Sequence, residues 1–285
     1  MKKALIIEGG GMRSAYASGA LVALHDLGYR NFDVVVGTSA GACCAVNFIG
    51  GYPQRNFKIL HEYLPTKKFI NYNYAFSTKS VVDINFLLDE VLAKHVLLPL
   101  KEFFESPTRL YITATDCSTG NPVYFEGHEA GDQLIECLRA SCAMPYLYRH
   151  RVYLNGKRHV DGGVSVSIPV QKAIDEGCKE FIVIGTRPEG YRKKRNPFGW
   201  LNYIFFPFHP KMAKRLNERW KEYNSTLDWL ENPPSDVKVT LIRPKGKLPV
   251  GRTTKNRDKI KAAYEMAYQD TLKLLKGKED VRRET

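Results

Sequence analysis

The first half of the chain alternates short apolar runs with longer segments in which apolar residues recur at helical spacing. Apolar runs at Lys3–Glu8 and Phe32–Val36 predict buried strands. A helical pattern follows each run, over Ser14–Leu27 and Ala40–Ile49, and Gly28 stands where a helix C-cap is expected. This β-α-β-α order predicts a parallel sheet covered by helices.

The rest of the chain continues the mixed pattern. Helices are expected over Ile84–Lys94, Gln133–Ser141, Pro169–Glu176, Met212–Leu230 and Asp258–Leu275. Strands are expected over Arg109–Thr115, Val123–Glu126, Arg151–Leu154, Lys157–Val160, Phe181–Thr186 and Val237–Arg243. Asn155-Gly156 between two of these strands is a strong hairpin signal. We therefore predict a single α/β domain over residues 1–285, with residues 187–211 as an irregular insertion.

A Gly-x-Ser-x-Gly sequence, Gly37-Thr38-Ser39-Ala40-Gly41, lies between a predicted strand and a predicted helix. This is the context that a nucleophile elbow requires, because the turn must project the Ser39 hydroxyl into a cleft. A side chain at Gly37 or Gly41 would collide with the neighbouring strand or helix. The alternative interpretation is an ordinary strand–turn–helix in which Ser39 is the helix N-cap.

A glycine-rich loop, Gly9-Gly10-Gly11-Met12-Arg13, joins the first predicted strand to the first predicted helix. Its bare backbone N–H groups suit either a phosphate cradle or an oxyanion hole. The spacing matches neither common nucleotide-binding motif. Loops that follow neighbouring parallel strands meet at one sheet edge, so we expect this loop to face Ser39 and to form an oxyanion hole.

Asp161, followed by two glycines, directly ends the predicted hairpin. A carboxylate there is a candidate base for Ser39, because a nucleophilic serine needs an adjacent base. Taken alone, Asp-Gly-Gly is more often a turn. Histidine is the usual base of a serine triad, and with Asp161 as the acid only His209 follows in the chain order of α/β-hydrolases.

Composition narrows the functional class. No stretch approaches the ~20 apolar residues that span a bilayer, and the apolar run after Lys3 is shorter than that of a signal peptide. The six cysteines show no Cys-x-x-Cys spacing, so neither a zinc site nor a redox motif is indicated, and a cytoplasmic location is expected. The formal net charge of +13 favours an anionic partner.

Three of these motifs occur together in one order. The glycine loop at residues 9–13, the serine motif at residues 37–41 and Asp161-Gly162-Gly163 resemble the signature of the patatin-like phospholipase family. The segment Ala140-Ser141-Cys142-Ala143-Met144-Pro145 is similar to the stretch that precedes the catalytic aspartate there. The resemblance covers residues 3–186, and residues 187–285 carry no assigned motif.

The resemblance implies a three-layer α/β/α sandwich with a mostly parallel sheet, and lipid acyl hydrolysis by a Ser–Asp dyad without histidine. It implies Ser39 as nucleophile and Asp161 as base, with no metal or other cofactor. The oxyanion hole would be formed by the backbone N–H groups of Gly10, Gly11 and Met12. Arg13 would position that loop, while Ser14 stands where the family commonly has glycine.

Residues 187–221 contain ten lysines and arginines against two acidic residues, and residues 198–208 are rich in aromatic side chains. Aromatic residues beside basic residues suit peripheral contact with an anionic membrane, although such aromatics also pack as lids or in cores. We expect a lipid or ester substrate and no nucleic acid. Two alternatives stay open: a Ser–His–Asp esterase that uses His209, and a catalytically inactive binder of anionic surfaces.

Overall fold

A computed structural model describes the backbone of residues 1–283 and the side chains of residues 1–276. In this part of the chain eight strands form one sheet. The strands are β1 (Lys3–Ile7), β2 (Val34–Thr38), β3 (Arg109–Asp116), β4 (Pro122–Glu126), β5 (Val152–Leu154), β6 (Lys157–Asp161), β7 (Glu180–Ile184) and β8 (Lys238–Ile242). The α-helices are α1 (Ser14–Asp26), α2 (Ala40–Ile49), α3 (Gln54–Lys58), α4 (Leu100–Glu105), α5 (Gly127–Ala130), α6 (Leu134–Cys142), α7 (Val170–Asp175), α8 (Leu201–Phe205), α9 (Pro210–Glu231) and α10 (Arg257–Arg283).

The sheet is mostly parallel, as predicted. Its strand order is β5-β6-β3-β2-β1-β7-β8, and β4 pairs separately with β3. The pairs β1–β2, β1–β7, β2–β3 and β7–β8 are parallel, whereas β3–β4, β3–β6 and β5–β6 are antiparallel. The parallel centre brings the loops after β1 and β2 to the same edge.

Successive side chains of β1 enter two different cores. Leu5 and Ile7 join the core that contains residues of α1 and α2, whereas Ala4 and Ile6 join the core that contains Tyr223 of α9. Because neighbouring residues of a strand point to opposite faces, the two cores lie on opposite sides of the sheet. The structure thus confirms the three-layer α/β/α sandwich.

Most predicted elements are present with bounds that differ by a few residues, and three differences are described here. Strand β2 begins at Val34, two residues later than predicted, and the Phe32 carbonyl before it accepts a hydrogen bond from the Thr108 hydroxyl (2.8 Å). The helix predicted over Ile84–Lys94 is instead a π-type helix over Phe86–His95. The segment 187–211 is not wholly irregular, since it contains α8.

Helix α10 packs closely against α1. The Tyr16 hydroxyl donates to Asp270 (3.1 Å), and the Tyr268 hydroxyl donates to Asp26 (2.9 Å). A Cβ atom at Gly19 would lie well inside van der Waals contact with the Tyr264 carbonyl oxygen. None of the described helices is long and apolar enough to cross a membrane.

This contact predicts that replacing Gly19 with alanine lowers the free energy of unfolding rather than raising it. In an ordinary helix interior, Gly→Ala stabilises by roughly 0.5–1 kcal/mol. We expect Gly19→Ala instead to destabilise the protein by about 1–3 kcal/mol, because overpacking must push α10 away. Denaturant unfolding measures the change. Gly246→Ala is the control, because its Cβ would meet open space, and an equal effect at both positions would contradict the close helix contact.

Candidate active site

The glycine loop and the serine turn face each other at one edge of the sheet. Ile7, the last residue of β1, pairs with Gly37 near the end of β2, so the two loops emerge side by side. A Cβ atom at Gly9 would lie 2.8 Å from the Thr38 carbonyl oxygen and 3.1 Å from the Ser39 Cβ atom. Only glycine allows the loops to approach this closely.

Ser39 occupies a strained turn at the start of α2. Its φ of 55° and ψ of −130° are rarely adopted by a residue other than glycine. The flanking glycines permit the turn: a Cβ at Gly37 would lie 2.6 Å from Ala42 Cα, and one at Gly41 would lie 2.5 Å from the Ile7 carbonyl oxygen. This is the geometry that the elbow motif predicts.

The turn is held by a serine that sequence reasoning did not assign to the site. The Ser39 N–H donates to the Ser141 hydroxyl oxygen (2.8 Å), and the Ser141 hydroxyl donates to the Thr113 carbonyl (2.6 Å). Both serines are buried. The Ala-Ser-Cys-Ala-Met-Pro segment, noted as a resemblance, was the one signal that pointed to Ser141.

Asp161 is the last residue of β6 and lies beside Ser39. Its carboxylate accepts a hydrogen bond from the Gly163 N–H (2.7 Å), which fixes its orientation. Burial raises the pKa of Asp161, while the Ser39 hydroxyl, the Gly163 N–H and then the positive charges of Arg219 and Arg252 oppose that rise. A carboxylate with a raised pKa is a better proton acceptor than an exposed one.

The Met12 N–H, one of the three expected oxyanion donors, already has an acceptor in this conformation. The Met12 N–H donates to the Arg252 carbonyl (2.9 Å), so it cannot also donate to a substrate oxygen. By contrast, the N–H groups of Gly10 and Gly11 have no acceptor among residues 1–276. Two of the three predicted donors are therefore available.

Arg13 and Ser14 form the base of the glycine loop. The Arg13 Nε donates to the Thr186 hydroxyl oxygen (3.5 Å), and the Thr186 hydroxyl lies 3.4 Å from the Gly9 carbonyl. Ser14 has an ordinary helical φ of −65°, and its hydroxyl donates to the Gly11 carbonyl. Serine therefore needs no left-handed backbone where the family commonly has glycine.

Two cavities of opposite character meet at Ser39. The first, which we call the apolar cavity, has a volume of about 60 Å³. Its lining includes Ile59, Leu60, Leu64, Ile70, Ile84 and Leu87. The second, which we call the cationic cavity, has a volume of about 150 Å³ and also touches Asp161. Its lining includes Arg13, Arg187, Lys193, Arg219 and Arg252.

The histidines lie elsewhere. All seven belong to the described part of the chain, and none of them lines either cavity. His209, the triad candidate, caps α9, and its Nε2 lies 3.1 Å from the Arg158 guanidinium. Burial and then Arg158 lower the pKa of His209. The described residues also contain no group of three metal-ligating side chains.

Comparisons with known proteins identify sequences and folds that are similar to this chain. The sequence model of the patatin-like phospholipase family matches residues 5–174, and that of a domain of unknown function (DUF6363) matches residues 209–279. The chain is 27% identical over 263 residues to the uncharacterized protein YjjU of Escherichia coli, covering 85% of this chain and 68% of YjjU.

Two further proteins are similar to this chain, one over part of the sequence and one in fold. The omega-hydroxyceramide transacylase of Mus musculus is 30% identical over 168 residues, which cover 57% of this chain and 27% of the mouse protein. The crystal structure of VipD from Legionella pneumophila shares the fold, with a TM-score of 0.50 and 12% identity over 97% of this chain and 67% of VipD. The family match covers more than half of the chain and contains both Ser39 and Asp161, so the chain belongs to the patatin-like phospholipase family.

Proposed function

We propose that the chain is a lipid acyl hydrolase in which Ser39 is the nucleophile and Asp161 the base. The observation that carries this proposal is the strained Ser39 turn beside a buried carboxylate whose pKa is raised by its burial. Burial in a cleft and a perturbed pKa are typical of catalytic groups. The position of His209, paired with Arg158 and outside both cavities, favours a dyad over a triad.

The mechanism follows from the positions of these groups. Asp161 accepts the Ser39 proton as the serine oxygen attacks the ester carbonyl, and the free N–H groups of Gly10 and Gly11 stabilise the oxyanion. Asp161 then returns the proton to the leaving alcohol, which leaves an acyl-serine. A water molecule, deprotonated by Asp161, then attacks the acyl-serine. The bond between the acyl carbon and the Ser39 oxygen breaks, Asp161 returns the proton to that oxygen, and the fatty acid is released.

The apolar cavity supports an acyl chain as the bound group. It begins at Ser39 and is lined mainly by aliphatic side chains, together with Cys43 and Cys44 of α2. Both cysteines are free thiols, so they serve here as small apolar residues. An extended alkyl chain would gain roughly 0.8 kcal/mol for each buried CH₂ group.

An exposed apolar surface beside the cationic cavity supports contact with a membrane. Its residues are Phe198, Trp200, Tyr203, Ile204, Phe205 and Phe208. Tyr146 lines the cavity and packs its ring against Phe205 and Phe206, with centroid distances of 5.4 and 5.1 Å. We propose that this apolar surface rests on anionic lipid and that the adjoining basic residues strengthen the contact.

The dyad predicts a specific pattern of activity loss. Hydrolysis of a short-chain chromogenic ester by Ser39→Ala and by Asp161→Asn should fall at least about 10³-fold in kcat/KM, because each variant removes a reacting group. His209→Ala should stay within about three-fold of the wild type. Circular dichroism checks that each variant folds. Loss of activity in His209→Ala would favour the triad, and an inactive wild type would favour the non-enzymatic binder.

The pKa of Asp161 predicts the acid limb of the pH profile. Asp161 must be ionised to accept a proton, so kcat/KM for a neutral ester should fall as the pH drops through its pKa. Since burial raises that pKa, the midpoint should lie above the ordinary value of about 4. Arg219→Gln should move it to higher pH, whereas Lys214→Gln on the same helix should not. A midpoint at or below pH 4 would contradict the assignment.

The apolar surface predicts vesicle binding that depends on its aromatic residues. The double variant Trp200→Ala, Phe208→Ala should bind anionic vesicles at least about 10-fold more weakly, because each side chain loses roughly 1.5 kcal/mol or more of burial. Co-sedimentation measures the binding. Leu97→Ala is the control, since Leu97 is as exposed as Trp200 (both 59%) but lies beside α3, where its carbonyl accepts a hydrogen bond from Arg55. Equal weakening in both variants would argue against a defined membrane surface.

A further inference from the structure

The cationic cavity contains far more positive than negative charge. Five basic side chains line it, and the carboxylates in its lining are those of Glu8 and Asp161. Glu8 accepts hydrogen bonds from the Thr186 hydroxyl (3.0 Å) and the Tyr223 hydroxyl (3.1 Å), so its oxygens already have partners. Asp161 is engaged by Gly163 and Ser39. Glu222 lies outside this lining, but its charge also acts on Lys193 and Arg219. Among the described side chains, none of these three carboxylates lies within 4.0 Å of a charged nitrogen of the five basic groups.

None of the five basic side chains forms an ion pair within 4.0 Å in the part of the chain whose side chains are described. The Arg219 Nε is buried and has no hydrogen-bond acceptor there. Lys193 reaches only the Ser167 hydroxyl (3.2 Å) and the Tyr223 ring, whose centroid lies 4.0 Å from its ammonium nitrogen. Such groups are costly to bury unless a negative charge joins them.

Burying these basic groups close together destabilises their charged forms, and the pKa values of two of them are lowered as a result. Burial and then the charge of Arg219 lower the pKa of Lys193 to about 6. Burial and then Arg187 lower the pKa of Arg13 to about 10. A cluster of cations that destabilise one another inside a cleft, next to a nucleophile, is typical of a binding site rather than of a structural ion-pair network.

The guanidinium and ammonium groups that line the cationic cavity indicate which kind of anion it binds. Guanidinium groups donate paired hydrogen bonds to phosphate oxygens, and an ammonium group adds a compact charge. We propose that the cationic cavity binds a phosphate group. The identity of the substrate rests on the proposed function. An ester bound at Ser39 with its acyl chain in the apolar cavity would place its alcohol part in the cationic cavity. A phosphate group on that alcohol part would then contact the basic side chains.

The C-terminal part of the chain supplies most of this subsite. Lys193, Arg219 and Arg252 all lie beyond the region that matches the patatin-like phospholipase family, and Arg219 and Arg252 lie within the region that matches the domain of unknown function. Residues outside the catalytic motifs would therefore determine which alcohol group the enzyme accepts.

Direct binding tests the subsite without turnover. In the Ser39→Ala background, titration calorimetry with inorganic phosphate and with glycerol 3-phosphate should show binding. Adding Arg219→Gln or Lys193→Gln should weaken it about 10-fold or more, as loss of a charge-assisted contact does. Adding Lys214→Gln, which changes an exposed lysine on the same helix, should leave it unchanged. Melting temperatures establish that each variant is folded.

Turnover distinguishes the source of the phosphate. The wild type should hydrolyse 1-oleoylglycerol 3-phosphate at least about 10-fold more efficiently than 1-oleoylglycerol, and Arg219→Gln and Lys193→Gln should reduce that ratio. A change in the pKa of Asp161 would alter hydrolysis of both substrates equally, because the same ester bond is cleaved in each. The ratio of the two efficiencies therefore reports on the phosphate group alone. Phosphate binding without a preference for the phosphorylated lipid would identify free phosphate as the ligand.

Two results separate this inference from the proposed function. If the wild type cleaves no ester while Ser39→Ala binds phosphate through Arg219 and Lys193, the hydrolase proposal fails and the phosphate site stands. If esters are cleaved but no phosphate binds, and the substrate ratio is equal in Arg219→Gln and Lys214→Gln, the phosphate site is overturned while the hydrolase proposal stands.

Discussion

The left-handed backbone of Ser39 is the constraint on which the rest of the site depends. A non-glycine residue at this φ costs about 1–3 kcal/mol and persists only where the surroundings enforce it. Here Gly37 and Gly41 let α2 approach the sheet, and the Ser141 hydroxyl holds the Ser39 N–H. Because Ser141 is itself anchored to β3, the nucleophile is tied to the centre of the sheet. The fold thus keeps the hydroxyl directed into the cleft.

Burial of the site sets its electrostatic balance. A buried carboxylate is a stronger base than an exposed one, but deep burial alone would also favour its protonated form. The charges of Arg219 and Arg252 oppose that effect at Asp161 and so favour its ionised form. The same cations destabilise one another around Lys193. In the proposed mechanism, one cluster of cations would therefore both adjust the pKa of the base and favour the binding of an anion.

Sequence patterns could indicate the residues of the proposed catalytic centre because these residues follow strands. Loops after β1 and β2 must meet in a parallel sheet, and the Asn-Gly hairpin placed Asp161 at the end of β6. Contacts from distant residues had no local signal. The Arg252 carbonyl that occupies the Met12 N–H comes from a loop 240 residues away, and the cations of the C-terminal part share no spacing with the motifs. Periodicity cannot reveal such tertiary contacts.

In the proposed mechanism, the Arg252 segment would link the C-terminal part to catalysis in two opposing ways. Its carbonyl takes up the Met12 N–H, which removes a third donor from the oxyanion hole. Its guanidinium lowers the pKa of Asp161, which keeps more of the base ionised. Moving the segment away would free the donor and raise the pKa of Asp161 at the same time. The net effect on rate therefore depends on pH: at high pH, where Asp161 is ionised in either arrangement, only the gain of a donor would count.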